Sequence, residues 1–314
     1  MTGYLARRLL LMGPTLFLVS VMVFLIMRLV PGDVVSLMFQ DLGYAESLAE
    51  MRAVLGLDLP LHEQYLRWVG NLVRGDLGQS LWTQRTVVSV LAERLPVTLE
   101  LALLAIGFSV IYGGVTGVIA AVHQDRPVDL ALRSLAMAFL SLPTFWLGTL
   151  VIVLPSLWLG WSPSLRLVPF AEDPLGNLTQ FALPALILGT HLGAPVMRMS
   201  RAMLLDAFRQ DYVRTAWAKG LAPRRVVYKH ALRNAVIPTV NILGVQVSQA
   251  IAGSVVLETL FGLPGMGSLL VEAVAHRDFP MFQSLVLCLG FLVMAVNLVV
   301  DLACVTIDPR LRIT

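Results

Sequence analysis

Six stretches of this 314-residue chain are long and apolar enough to cross a bilayer, at about residues 9–30, 98–122, 132–158, 181–203, 236–257 and 281–305. A span needs roughly 20 apolar residues, and its backbone polar groups must be satisfied within it, because hydrocarbon offers them no partner. That requirement points to an all-α, polytopic membrane protein with six transmembrane helices. Only 14% of the residues are charged and the mean hydropathy is +0.78, against about 25% charged in a soluble domain. Pro143, Pro155 and Pro184 fall in the third and fourth stretches and predict kinks or displaced ends there. The first stretch follows Tyr4-Leu-Ala-Arg-Arg8, which has the look of a signal-peptide start. Its apolar run lasts to Val30 without a small-residue cleavage site, so an uncleaved span is expected.

Charge sets the expected orientation. With the N-terminus inside, the inner segments hold Arg7, Arg8, Arg126, Arg133, nine Lys or Arg from Arg198 to Arg233, Arg310 and Arg312. The short outer segments 159–180 and 258–280 hold one Arg each, Arg166 and Arg277. Cytoplasmic loops carry the excess of basic residues, so both termini are expected in the cytoplasm. The long outer segment 31–97 is expected to be helical, with a short helix from Glu46 to Val54 and a second from Leu61 to Val73. Leu61, Tyr65, Trp68, Val69 and Leu72 give the second an apolar face, and Asp76-Leu-Gly-Gln-Ser80 reads as a turn.

Several chemistries are missing. The two lysines, Lys219 and Lys229, are followed by Gly220 and His230, so no phosphate-binding loop with Gly-Lys-Ser/Thr exists. The five histidines lie in separate segments, and no serine stands in a Gly-x-Ser-x-Gly setting, so neither a metal site nor a serine nucleophile is expected. Cys288 and Cys304 lie on one predicted helix, about 24 Å apart, too far to bond to each other. The basic residues sit where a membrane topology puts them, which leaves no sign of nucleic-acid binding.

The inner segment 198–233 is built as a docking element. A short helix runs to Lys219, Gly220 stops it, and Pro223 opens another. Val213, Ala216, Trp217 and Gly220 follow helical spacing and predict one compact contact face, rimmed by Arg209, Arg214 and Lys219. Gly220 is expected where a side chain would crowd the turn. Polar residues inside spans tend to face a bundle interior or a cavity. Glu100 opens the second span. The fifth carries Asn241, Gln246, Ser248 and Gln249 and ends at Glu258, and the sixth carries Asn297 and Asp301. Positions 241, 245, 248, 249 and 252 share a face and form a candidate pathway wall. Interhelical hydrogen bonding is the competing explanation, above all for Gln246, Asn297 and Asp301. Gly113-x-x-x-Gly117 reads as close helix packing. Phe261-Gly-Leu-Pro-Gly-Met-Gly267 suits a re-entrant turn or gate, with Glu258, Glu272, Arg277 and Asp278 expected to be solvated.

These segments together resemble a family. Asp211-Tyr-Val-Arg-Thr-Ala-Trp-Ala-Lys-Gly220 with His230-Ala-Leu-Arg-Asn234 is similar to the coupling segment of bacterial ABC importer permeases of the dipeptide, oligopeptide and nickel branch. Against the general Glu-Ala-Ala…Gly signature of such permeases, only Ala216, Gly220 and Leu232 are retained. Arg7-Arg8 with Pro14-Thr15 and Pro31-Gly-Asp33, then Gly75-Asp-Leu-Gly-Gln-Ser80, then the tail from Val256 through Pro264-Gly-Met-Gly267 and Arg277-Asp278 to Asp308-Pro-Arg310, resemble the same branch in order.

The resemblance implies a type I ABC importer permease fold of the "B" type. It divides the chain into a first span (1–30), an extracytoplasmic helical insertion (31–93), a five-helix core (94–305) holding a coupling loop (204–235), and a cytoplasmic tail (306–314). Asp211, Tyr212, Val213, Arg214, Thr215, Ala216, Trp217, Ala218, Lys219 and Gly220 would dock on an ATPase subunit. Asn241, Gln246, Ser248, Gln249 and Glu258 would line the substrate path, and Pro264, Gly265, Met266 and Gly267 a gate. The implied protein is a non-catalytic inner-membrane subunit without a cofactor of its own, with ATP and magnesium held by two ATP-binding partners. A second, "C"-type permease, an extracytoplasmic binding protein and membrane lipid would complete the assembly. Di- or oligopeptides are the first cargo, with nickel chelates and glutathione as alternatives. An ion-coupled secondary transporter is the rival from another class, although the chain shows no internal repeat.

Overall fold

The computed structural model describes residues 2–29, 56–164 and 166–307. Among these the protein is helical, apart from an isolated antiparallel bridge between Gln79 and Thr86. In chain order the helices are α1 (Thr2–Leu29), α2 (Leu61–Val73), α3 (Val87–Val122), α4 (Pro127–Ser141), α5 (Thr144–Leu159), α6 (Pro174–Phe208), α7 (Asp211–Ala218), α8 (Leu232–Phe261), α9 (Met266–Ala275) and α10 (Phe279–Ile307). A one-turn helix Pro223–Arg225 and π-helical residues Val226–Ala231 lead into α8. The expected helix from Glu46 to Val54 lies outside the described residues.

Among the described residues, four helices are long and apolar enough to span: α3, α6, α8 through Gly244–Phe261, and α10 through Phe279–Val300. The third expected span is not one straight helix. It is α4 and α5, bent by 93° at the break. Pro143 causes this. It cannot continue α4, and it pushes the residue before it out of the helical region. Leu142 (φ −81°, ψ 128°) and Pro143 (φ −62°, ψ 134°) are accordingly extended. Pro155 and Pro184 lie inside continuous helices. In α1, which runs through the expected first span, the described apolar stretch includes Leu10–Ile26.

The chain divides into two compact units, Met1–Val97 with Gly265–Met294, and Thr98–Pro264 with Ala295–Thr314. In the first, α2 lays its apolar face on α1 as its spacing predicts. Phe24 meets Tyr65 edge-on at 5.2 Å and stacks with Trp68 at 6.1 Å. The Ser20 and Tyr65 hydroxyls share a 2.8 Å hydrogen bond. Arg28 donates from Nε and Nη2 to Gln64 Oε1 at 3.0 and 2.7 Å. Below this, Val87, Val90 and Leu91 of α3 pack with Met266, Leu269 and Ala273 of α9 and Met281 and Leu285 of α10.

In the second unit α3 and α6 approach through glycines. A Cβ on Gly113 would lie 2.6 Å from the Gly193 carbonyl oxygen, and one on Gly117 would lie 2.7 Å from Ser200 Cβ. From the other side, a Cβ on Gly189 would meet the Ala105 oxygen at 2.7 Å, and one on Gly193 would meet Tyr112 at 2.6 Å. Lipid tails are as apolar as leucine, so span association depends on such close van der Waals contact. The Gly113/Gly117 pair is a packing device, as its spacing predicts.

Candidate functional site

The segment between α6 and α8 is compact. α6 runs on to Phe208, well into the expected loop 204–235, and leaves a turn at Arg209-Gln210 before α7. Gly220 follows α7 at φ +71°. The Leu221 N–H reaches back to the Ala216 carbonyl and the Gly220 N–H to that of Trp217, a left-handed helix closure that favours glycine. A Cβ there would meet nothing within 4 Å. The backbone angle explains this glycine, and the expected crowding does not.

The predicted contact face of α7 is split. Val213 (0% exposed) and Ala216 (5%) belong to the protein's own core, together with Val118 and Ala121 of α3, Leu204 and Ala207 of α6, Val226, Val227 and Ala231, and Ala235 of α8. Trp217 and Tyr212 are 44% and 40% exposed. The Arg214 side chain lies out in solvent, 3.8 Å from Asp211. Thr215, Ala218, Lys219 and Gly220 are exposed as well. The exposed surface of this segment is therefore Asp211, Tyr212, Arg214, Thr215, Trp217, Ala218, Lys219 and Gly220. Val213 and Ala216 anchor it to the ends of three long helices.

The candidate pathway residues also separate. Val245, Gln249 and Ala252 of α8 are exposed and share a face with half-buried Ser248. Ser248 accepts from Asn297 Nδ2 of α10 at 3.1 Å, so this pair does the work of interhelical packing. The side chains of Asn241 and Asp301 lie outside the described residues. Gln246 belongs to the opposite, buried face, and among the described residues its Oε1 has no hydrogen-bond partner. Glu258, expected to be solvated, is fully buried and accepts from Thr98 Oγ1 of α3 at 2.8 Å.

In the expected gate, Gly262 closes α8 at φ +65°, Pro264 is half-buried, and Gly265, Met266 and Gly267 are buried where α9 begins. Glu272 is exposed. Asp278, also expected in solvent, is 3% exposed. It accepts from the Ser80 hydroxyl, from the Leu81 N–H at 3.2 Å and from the Met281 N–H at 3.3 Å. It thereby caps α10 and holds the 80–82 turn. Burial of both carboxylates is tolerable because each finds donors.

Sequence reasoning missed Asp129. This fully buried acid of α4 accepts from Arg201 Nε and Nη2 of α6 at 2.8 and 2.6 Å, and Arg133 lies 3.4 Å away. The fork clamps α4 to α6 two turns before the segment leading into α7. Its only sequence signal is an acid with a basic residue four positions on at the edge of an apolar run, which is too common to single out.

Comparison with known proteins supplies the class. Residues 113–313 match the family described as binding-protein-dependent transport system inner membrane component, and residues 1–102 match its N-terminal companion. The chain belongs to this family of ABC transport permeases. A Brucella abortus (strain 2308) protein provisionally named a peptide transport system permease is 41% identical over 99% of both chains. The di/tripeptide transport system permease protein DppB of Pseudomonas aeruginosa (strain UCBPP-PA14) is 40% identical over 99% of both. The glutathione transport system permease protein GsiC of Escherichia coli (strain K12) is 38% identical, again over 99% of both. The MetNI methionine ABC transporter, solved in inward-facing conformations, shares the fold at TM-score 0.56 and 18% identity, over 70% of this chain and 96% of that one.

Proposed function

We propose that this chain forms half of the translocation pathway of an ATP-driven importer for di- and oligopeptides. The observation that carries the cargo is end-to-end similarity to permeases named for peptides and for glutathione, itself a small peptide. A homologous second permease completes the pathway, and an extracytoplasmic binding protein delivers the peptide. Two ATP-binding subunits hold ATP and magnesium and carry out hydrolysis, and this chain is non-catalytic. Six spans place both termini in the cytoplasm, with α4 and α5 together counted as one bent span. The helical insertion 31–93 precedes the five-helix core 94–305. Membership of the family displaces the ion-coupled alternative.

Coupling runs through α7. Tyr212, Arg214, Trp217 and Lys219 meet an ATPase subunit, while Val213 and Ala216 pass the displacement into α3, α6 and α8 through the shared core. ATP shifts the transporter between inward- and outward-open states only if the ATPases bind α7 differently in each. The exposed face of α8, with Val245, Gln249 and Ala252, lines the path, and Ser248 at its edge holds α10 through Asn297.

The test is purification from native membranes in mild detergent, with the co-purifying proteins identified by mass spectrometry, followed by ATP-dependent peptide uptake in reconstituted vesicles. Recovery of a second permease and one or two ATPases, with uptake of a dipeptide, supports the reading. A chain recovered alone after crosslinking overturns the coupling assignment. An assembly that takes up glutathione but no dipeptide overturns the cargo.

A further inference from the structure

Two adjoining cavities lie where α1, α2 and α10 meet. One, of about 290 Å³, has the more polar walls of the two, polar and apolar groups together, and is lined by Arg28, Gln64, Trp68, Asn71, Phe279 and Gln283 among others. The other, of about 470 Å³, is apolar and is lined by Phe17, Tyr65, Leu72, Leu287, Cys288 and Phe291 among others. Leu77 borders both, and the neighbours Gln283 and Ser284 line one each.

The polar cavity holds donors in need of an acceptor. Gln283 is 3% exposed, and among the described residues its Nε2 has no hydrogen-bond partner. An amide donor left so costs free energy unless something fills the role. Arg28 spends three of its five N–H groups on Gln64 Oε1 and the Phe24 carbonyl, and its guanidinium lies 3.5 Å over the Phe24 ring. Among the described residues no carboxylate pairs with it. Arg67 adds a second cation to the lining, and Asp76, the acid present, is exposed and turned to its own loop through the Gly78 N–H at 2.8 Å.

Depth supplies the other half. Arg28 lies just beyond the apolar stretch Leu10–Ile26 of α1 and Phe17 lies in its middle. The eleven helical steps from Phe17 to Arg28 rise about 16 Å, close to half of the roughly 30 Å hydrocarbon core. The apolar cavity therefore sits at acyl-chain depth and the polar one at the membrane surface.

We propose that the two cavities form one site for a glycerophospholipid. Its phosphodiester oxygens accept from Arg28 and Gln283, and one acyl chain lies between α1, α2 and α10. Such a lipid would stitch the extracytoplasmic helix α2 to the membrane helices that flank it.

The test uses the full chain with its accompanying subunits, washed extensively in detergent and then offered phosphatidylglycerol or inorganic phosphate, with bound lipid counted by native mass spectrometry. Wild type should retain one phospholipid per chain through the wash. Gln283→Leu, which removes donors without breaking any existing bond, should lower occupancy about tenfold. Arg28→Lys, which loses the fork, should do the same, and Cys288→Trp should exclude the lipid by filling the apolar cavity. Melting temperatures report folding, and Gln283→Leu decides the matter should either other variant misfold. Lipid occupancy unchanged in Gln283→Leu and Cys288→Trp overturns the site. Displacement of the lipid by an equal concentration of inorganic phosphate reduces it to a water-fed anion pocket and also overturns the proposal.

Discussion

Two helix ends in this protein close in the same way and serve opposite purposes. α7 ends at Gly220 and α8 at Gly262, both left-handed, each followed by a leucine whose N–H turns back onto the helix, Leu221 to the Ala216 carbonyl and Leu263 to that of Glu258. Proline follows shortly in both, at Pro223 and Pro264. Yet α7 displays Tyr212, Arg214 and Trp217, whereas the last turns of α8 bury Glu258, Leu257 and Phe261. A closure motif fixes where a helix stops. What the stopped helix shows is decided by the elements packed against it.

The largest effects should separate the two faces of α7. Ala216→Asp places a carboxylate in the shared core and should cost about 3 kcal/mol or more, read as lost yield and a lowered melting temperature. Trp217→Ala should leave stability within about 0.5 kcal/mol while reducing ATP-driven uptake about tenfold, since tryptophan is a common anchor in protein contacts. A well-folded Ala216→Asp variant would show that this face is free after all. At the other closure, Glu258→Ala removes the carboxylate that accepts from the Thr98 hydroxyl and should destabilise by about 2 kcal/mol, with Glu258→Gln recovering most of it. Equal melting of wild type and Glu258→Ala would return Glu258 to a solvated role.

Gly220→Ala is expected to cost about 1 kcal/mol through its positive φ alone, because open space surrounds the missing Cβ. Asn should be tolerated better there than Ala, and the reverse order in melting experiments would implicate crowding. The smallest effect is Ser248→Ala, about 0.6 kcal/mol for one interhelical hydrogen bond. A much larger loss of uptake than of stability would restore Ser248 to the pathway rather than to packing.

Much of this arrangement is legible in the residues. Leu61–Val73 is a helix with the predicted ends, and of its predicted face Tyr65 and Trp68 meet α1 while Leu61 stays exposed, because a short amphipathic helix shows its period plainly. The Gly220 stop, the Pro143 break and the Gly113/Gly117 approach are backbone requirements that side chains cannot override. Burial of polar groups was not legible. Glu258, Asp278 and Asp129 look like surface acids until Thr98, the 80–82 turn and Arg201 arrive from 160, about 200 and 72 positions away in the chain. The face of α7 misled for a related reason. Spacing shows that Val213, Ala216 and Trp217 lie near one another, but it does not say which of them the protein keeps for its own core.

Sequence alone determined that this chain is helical and membrane-bound, that α4 stops before Pro143 and α7 before Gly220, and which family it joins, because these follow from apolar length, from Gly and Pro backbone limits and from local motifs. Tertiary structure decided that α7 is anchored through Val213 and Ala216 and exposed through Tyr212 and Trp217. It also paired Ser248 with Asn297, buried three carboxylates among distant donors, and set Arg28 and Gln283 together above an apolar cavity. Those outcomes depend on contacts between residues far apart in the chain, which no local pattern encodes.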